Sequence, residues 1–187
     1  MSITIDDIRH VEIVTTLGSI LVGIDVSAAP ITATNFLAYV EAGLLDQTEF
    51  YRIVAPCNQV GRAVPIDVVQ GGFREDIKAP LPPIEHEPTC RTGLRHRDGT
   101  ISMARFAPGT AAGAFFICVG DQPVLDHGGA RNPDGEGFAA FGDVLHGMDV
   151  VRAIWACAEA NAFIRRPVPI LSASVVADRR SGNRKGY

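Results

Sequence analysis

The sequence predicts a mainly β domain in which short strands build a barrel or a sandwich and two helices pack against them. Three observations carry this reading. Short β-type runs recur along most of the chain; the loops between them are rich in Gly, Pro and Asp; and only two stretches place apolar residues at helical three- and four-residue spacing. The 187 residues are 47% hydrophobic and 20% charged, a balance that suits one folded unit with a substantial core.

Taken in chain order, Ile20, Val22, Ile24 and Val26 fall on alternate positions, and Leu17, Gly18 and Ser19 supply a tight reversal, so Val11 to Val26 reads as a hairpin. Pro30 suits the first turn of a helix. Phe36, Leu37, Val40 and Leu44 then repeat at helical spacing, and Gly43 stands where a left-handed cap would end the helix. Further strands are expected at Phe50 to Val54, Ile66 to Val69, Thr100 to Met103 and Phe115 to Val119. The glycine- and proline-rich stretch from Asp121 to Gly137 reads as a large surface excursion without regular structure. A second helix is expected from Met148 through Val151 to Trp155, and a last strand from Val168 to Val176. One domain therefore spans residues 1–178, and the basic tail from Arg179 to Tyr187 reads as a frayed, solvated terminus.

Seventeen basic against 21 acidic side chains leave a net charge of −4, which argues against nucleic acid or an anionic membrane as partner. No apolar run approaches the ~18 residues of a membrane span. Cys57, Cys90, Cys118 and Cys157 are widely spaced, without a C-x-x-C pair, and the N-terminus lacks the pattern of a signal peptide. Reduced thiols and a cytoplasmic location are the expectation. The five histidines show no metal-ligand spacing, and Glu85-His86-Glu87 reads as a solvated loop, so neither metal nor cofactor is expected. Ser102 lies in Thr-Ile-Ser-Met-Ala rather than a G-x-S-x-G elbow, and no phosphate-binding glycine motif occurs.

What remains is a set of segments in a fixed order. Thr34-Asn35-Phe36 lies in the first helix, followed by Phe50-Tyr51-Arg52-Ile53 and Val69-Gln70-Gly71-Gly72. Next come Gly99 to Arg105 with Phe115-Phe116-Ile117, then Leu125-Asp126 and Phe138 to Val144. Together these resemble the cyclophilin-type peptidyl-prolyl cis-trans isomerase family, in its single-domain bacterial-like form, over roughly Val11 to Trp155. The resemblance implies a closed eight-stranded antiparallel β-barrel capped by two α-helices, with a substrate groove on the barrel's outer face. It implies a cofactor-independent isomerase that accelerates rotation about X-Pro bonds and assists protein folding. Its partners would be proline-containing peptides and unfolded or folding proteins, and it would act as a monomer.

By the same resemblance Arg52 is the catalytic group and Gln70 positions it and the peptide backbone. Phe116 floors the proline pocket with Leu125 at its edge, Ala104 and Arg105 line the rim, and Phe138 stands near the pocket where the family usually has His or Tyr. The chemistry agrees with those residue types: rotation needs the prolyl nitrogen to regain its lone pair, and a guanidinium fork can donate to it while staying charged. The two glycines after Gln70 would let another backbone approach. The sequence departs from the family pattern in a longer loop between Arg52 and Gln70, and in Asp67, Ala114, Val124 and Phe138. Asp67 would weaken one pocket wall. A proline-peptide-binding module of low activity is therefore the alternative, and a structural subunit docking through the Asp121–Gly137 loop a third.

Overall fold

In the computed structural model, residues 7–74 and 76–177 are described. The basic tail from Arg179 to Tyr187 lies outside them. Strands β1 (Ile8–Thr15) and β2 (Gly18–Asp25) form the expected hairpin. Its turn is closed by Thr15, whose hydroxyl donates to the Gly18 carbonyl at 2.8 Å and accepts from the Leu17 N–H at 3.1 Å.

Helix α1 (Pro30–Glu41) begins at the proline and is followed by Gly43 at φ +64°. It has no side-chain cap of its own. Instead Glu87, buried and distant in sequence, accepts from both the Thr32 N–H and the Thr32 hydroxyl at 2.7 Å, placing a carboxylate at the positive end of the helix. Part of the Glu85-His86-Glu87 stretch is thus structural rather than solvated.

The remaining elements are β3 (Glu49–Val54), β4 (Val68–Gly72), α2 (Thr89–Thr92), β5 (Thr100–Met103), β6 (Ala114–Cys118), β7 (Ala139–His146), α3 (Met148–Trp155) and β8 (Phe163–Val176). The eight strands close an antiparallel barrel in the order β1-β2-β7-β5-β6-β4-β3-β8. Helix α1 packs against β2, β7 and β8, and α3 against β2, β3 and β4. Phe36, Phe50, Phe115 and Phe141 fill the interior, with Phe36 and Phe50 each meeting the Phe115 ring edge to face at 5.5 and 5.7 Å. An interior so packed leaves no lumen for a ligand.

Three features escape the periodicity. In β7 the residues Ala139 to Gly142 are buried on both faces, so no alternation marks the strand. Pro167 and Pro169 disguise the first half of β8, which runs on to Val176 and bridges β3 to β1. The single-turn helix α2 is too short to show a period. The Asp121–Gly137 excursion is irregular apart from a 3-10 turn at Pro123–Leu125.

Candidate active site

The site begins with an irregularity in β3. Phe50 pairs with Gly71 and Arg52 with Gln70, so Tyr51 is an extra residue that shifts the register. In a regular strand Phe50 and Arg52 would share a face. The bulge instead leaves Phe50 in the core and gives Arg52 a half-buried place on the cleft. Gly71 makes room for this step, since a Cβ there would lie 2.9 Å from the Phe50 ring. Gly72, at φ +88°, turns against the carbonyl of Gly113. Both glycines therefore accommodate this chain's own core and backbone, which is why they follow Gln70.

Register then lines the site up across the sheet. Ser102 in β5 pairs with Phe116 in β6, Phe116 with Gln70 in β4, Gln70 with Arg52 in β3, and Arg52 with Phe163 in β8. Alternation along β6 sends Phe115 into the core and Phe116 to a smaller apolar cluster with Val54, Ile66, Val68 and Leu125. A cleft of about 420 Å³ opens over this row. Arg52, Gln70, Ala104, Arg105, Phe116, Leu125 and Phe138 all line it. Its wall at the β4 end is Ile66 and Val68, so Asp67 does not break the apolar lining. The Asp67 carboxyl lies partly buried, and that burial raises its pKa.

A directed chain of hydrogen bonds holds the polar end. Arg52 Nη1 donates to Gln70 Oε1 at 2.7 Å, Gln70 Nε2 donates to the Tyr51 hydroxyl at 2.9 Å, and that hydroxyl donates to the Phe73 carbonyl at 3.2 Å. Gln70 is 3% exposed, so its amide is fixed in one orientation. The Arg52 guanidinium also lies over the Phe163 ring at 5.7 Å, and Phe163 stacks on Tyr51. The register shift at Tyr51 therefore supplies the hydroxyl that orients the glutamine that orients the arginine.

The apolar end is backed by a second network. His96 Nδ1 donates to Asp126 Oδ1 at 2.8 Å, and its Nε2 accepts from the Ser102 hydroxyl at 2.9 Å. This is a Ser-His-Asp chain, but Ser102 is 0% exposed and cannot meet a substrate carbonyl. Its role is support: the His96 ring stacks on Phe116, and Asp126 follows the pocket residue Leu125. Burial lowers the His96 pKa and the Asp126 hydrogen bond opposes it; the neutral ring is the form that can donate to Asp126 and accept from Ser102 at once.

Arg105 lines the cleft with its guanidinium already engaged. It makes paired bonds to Asp134 at 2.8 and 3.0 Å, donates to the Gly137 carbonyl, and lies over the Phe138 ring at 5.3 Å. Phe138 meets Phe116 edge to face at 5.3 Å. The sequence does not point to Tyr51, Phe163, His96 or Asp126: cross-strand register brings in Tyr51 and Phe163, and hydrogen bonds between two loops join His96 to Asp126, and a single sequence displays neither. Among the described residues no group of three or more His, Cys, Asp or Glu side chains could hold a metal, and no helix is long and apolar enough to cross a membrane.

Residues 10–175 match the family model described as cyclophilin type peptidyl-prolyl cis-trans isomerase/CLD. The peptidyl-prolyl cis-trans isomerase cyp18 of Streptomyces antibioticus is 37% identical over 163 residues, covering 86% of this chain and 91% of that protein. Peptidyl-prolyl cis-trans isomerase A of Dickeya dadantii is 35% identical over 176 residues, covering 89% and 84%. Among solved structures, a cyclophilin type peptidyl-prolyl cis-trans isomerase of Cryptosporidium parvum superposes with a TM-score of 0.75 at 19% identity, covering 91% of this chain and 99% of that one. The same protein in the presence of the dipeptide Ala-Pro gives 0.73 at 20% identity, covering 90% and 99%.

Proposed function

The chain belongs to the cyclophilin-type peptidyl-prolyl cis-trans isomerase family, and from that premise we propose that Arg52 is the group that turns X-Pro bonds over in this cleft. The observation that carries the proposal is the 2.7 Å bond from Arg52 Nη1 to Gln70 Oε1 beside the Phe116 floor. The protein is a peptidyl-prolyl isomerase, and what needs explaining is how these residues lower a barrier of ~18–20 kcal/mol set by amide resonance.

A proline ring enters the apolar end, against Phe116, Leu125 and Phe138, where ring-sized apolar walls are rewarded by burial. Ala104 leaves the rim open to the peptide backbone. The planar amide offers no lone pair at nitrogen; the twisted one does. A guanidinium N–H aimed there binds the twisted state more tightly than either planar state, and that difference is the catalysis. Gln70 removes the cost of ordering Arg52 at that moment, because Tyr51 and Phe73 already hold it. No proton is transferred and no covalent bond is made.

Proline-containing peptides are the ligand class, and the dipeptide Ala-Pro used with the Cryptosporidium parvum protein is its smallest form. A cleft open along one face of the barrel also suits proline turns in unfolded or folding chains. Two-dimensional exchange NMR on a short X-Pro peptide tests the reading. Cis-trans exchange accelerated by substoichiometric protein, unaffected by a chelator, is the expected result; binding without acceleration would favour a peptide-binding module.

A further inference from the structure

We propose that Arg131, with Asn132 beside it, forms an anion-selecting subsite next to the proline pocket, so that this isomerase prefers prolines flanked by an acidic residue. The inference rests on the reading of the cleft as an isomerase site and adds to it a substrate class.

The cleft is lined by Arg52, Arg74, Arg105 and Arg131, and by no carboxylate among the described residues. Two of these cations are matched by acids: Arg105 by Asp134, and Arg74 by Asp76 at 3.3 Å and Glu49 at 3.8 Å. Arg131 is not. Its Nη1 donates to the Val64 carbonyl at 2.8 Å, and no acidic partner lies within ion-pair distance among the described residues. A neutral carbonyl satisfies one of five guanidinium donors and none of the charge. The adjacent Asn132 Nδ2 is closed off from solvent and has no hydrogen-bond partner among the described residues, although buried donors are nearly always paired. Arg131 and Asn132 thus line one cleft together, the first with an unmatched charge and the second with an unsatisfied buried amide.

The subsite is built rather than incidental. Arg131 N donates to the Val124 carbonyl at 3.2 Å, Gly129 N to the Asp126 carbonyl at 2.8 Å, and the Arg105–Asp134 clamp closes the far side of the same loop. Val64 belongs to the extended loop between Arg52 and Gln70, so the Arg131–Val64 bond joins the chain's two long loops at the cleft. Partial burial and the like charges of Arg52 and Arg62 press the Arg131 guanidinium below its usual range, a penalty that an incoming carboxylate relieves. The whole chain carries −4, so the preference must be local and not a long-range field.

The test uses acetylated and amidated single-proline peptides in which Glu and then Gln is placed in turn at each residue flanking proline, with kcat/KM read by exchange NMR. At one position the Glu peptide should exceed the Gln peptide about fivefold, a charge-assisted contact discounted for partial exposure. The excess should shrink in high salt, persist in Arg131→Lys, and fall below about twofold in Arg131→Gln. Equal rates for Glu and Gln at every position of the parent protein, or an excess unchanged in Arg131→Gln, would overturn the subsite. Turnover of the Gln peptides by the parent protein separates that failure from a failure of the isomerase reading.

Discussion

Arg52 owes its position to one hydroxyl at one remove. Tyr51 accepts from Gln70, and Gln70 accepts from Arg52, so removing the phenolic oxygen leaves the buried Gln70 amide without its acceptor. Tyr51→Phe should lower kcat/KM by about three- to tenfold, the worth of one hydrogen bond to a buried group, with KM little changed because no substrate contact is lost. Gln70→Ala should cost more, since it frees the guanidinium as well. A Tyr51→Phe protein with parental kcat would place the orientation of Arg52 elsewhere. Arg52, Gln70 and Phe116 could be picked out from the F-Y-R, Q-G-G and F-F-I segments. Tyr51 could not, because a bulge depends on how the partner strand is numbered against it, and β4 lies 17 residues on through a loop of irregular structure.

Among elements, the loop from Asp126 to Phe138 governs the apolar side of the cleft. The side chain of Arg105 is only 1% exposed and its paired bonds to Asp134 tie the loop to the end of β5. The Arg105 guanidinium, as first cause, holds the Asp134 carboxyl down at about 2. A carboxyl depressed in the folded state stabilises above its unfolded pKa and loses that contribution as pH falls through the folded value, so the clamp should survive through pH 4 and fail towards 2. Asp134→Ala strands a buried cation, and should raise KM several-fold while speeding hydrogen exchange in residues 126–137 with the barrel unaffected. Unchanged exchange there would show that the clamp does not order the loop. Its irregular course was readable from Gly128, Gly129, Pro133 and Gly135, but the clamp was not, because Arg105 and Asp134 are 29 residues apart.

At the scale of the molecule, the mainly β character is the feature the sequence displays best, through alternation in β2 and short runs in β3, β5 and β6, whereas closure into a barrel is implied only by the family resemblance. The doubly buried β7 and the proline-bearing first half of β8 give no such signal, while the rest of β8 from Val168 to Val176 is legible. The pH behaviour is also global. Catalysis by an arginine without proton transfer predicts a nearly flat rate between about pH 6 and 9. Stability should behave differently. Burial, the leading cause, sets the His96 pKa below its ordinary 6.5, so the unfolded chain takes up the proton first. Stability from this group is whole above about pH 6.5 and declines as pH falls from there to the lower folded value. Denaturant titrations should show that decline, and His96→Gln should flatten it; an equal slope in the variant would assign it to other groups.

The claim that Arg52 is the catalytic group is tested most directly by exchange NMR on one X-Pro peptide with the parent protein, Arg52→Ala and Arg52→Lys. Chemical shifts and thermal unfolding should be preserved, because Arg52 lies on the outer face of the sheet. That role predicts a loss of about 10²–10³-fold in kcat/KM for Arg52→Ala, comparable to removing a preorganised donor from a developing charge. Arg52→Lys should recover little, because a point charge cannot reproduce the fork. Turnover by folded Arg52→Ala at the parental rate would contradict it.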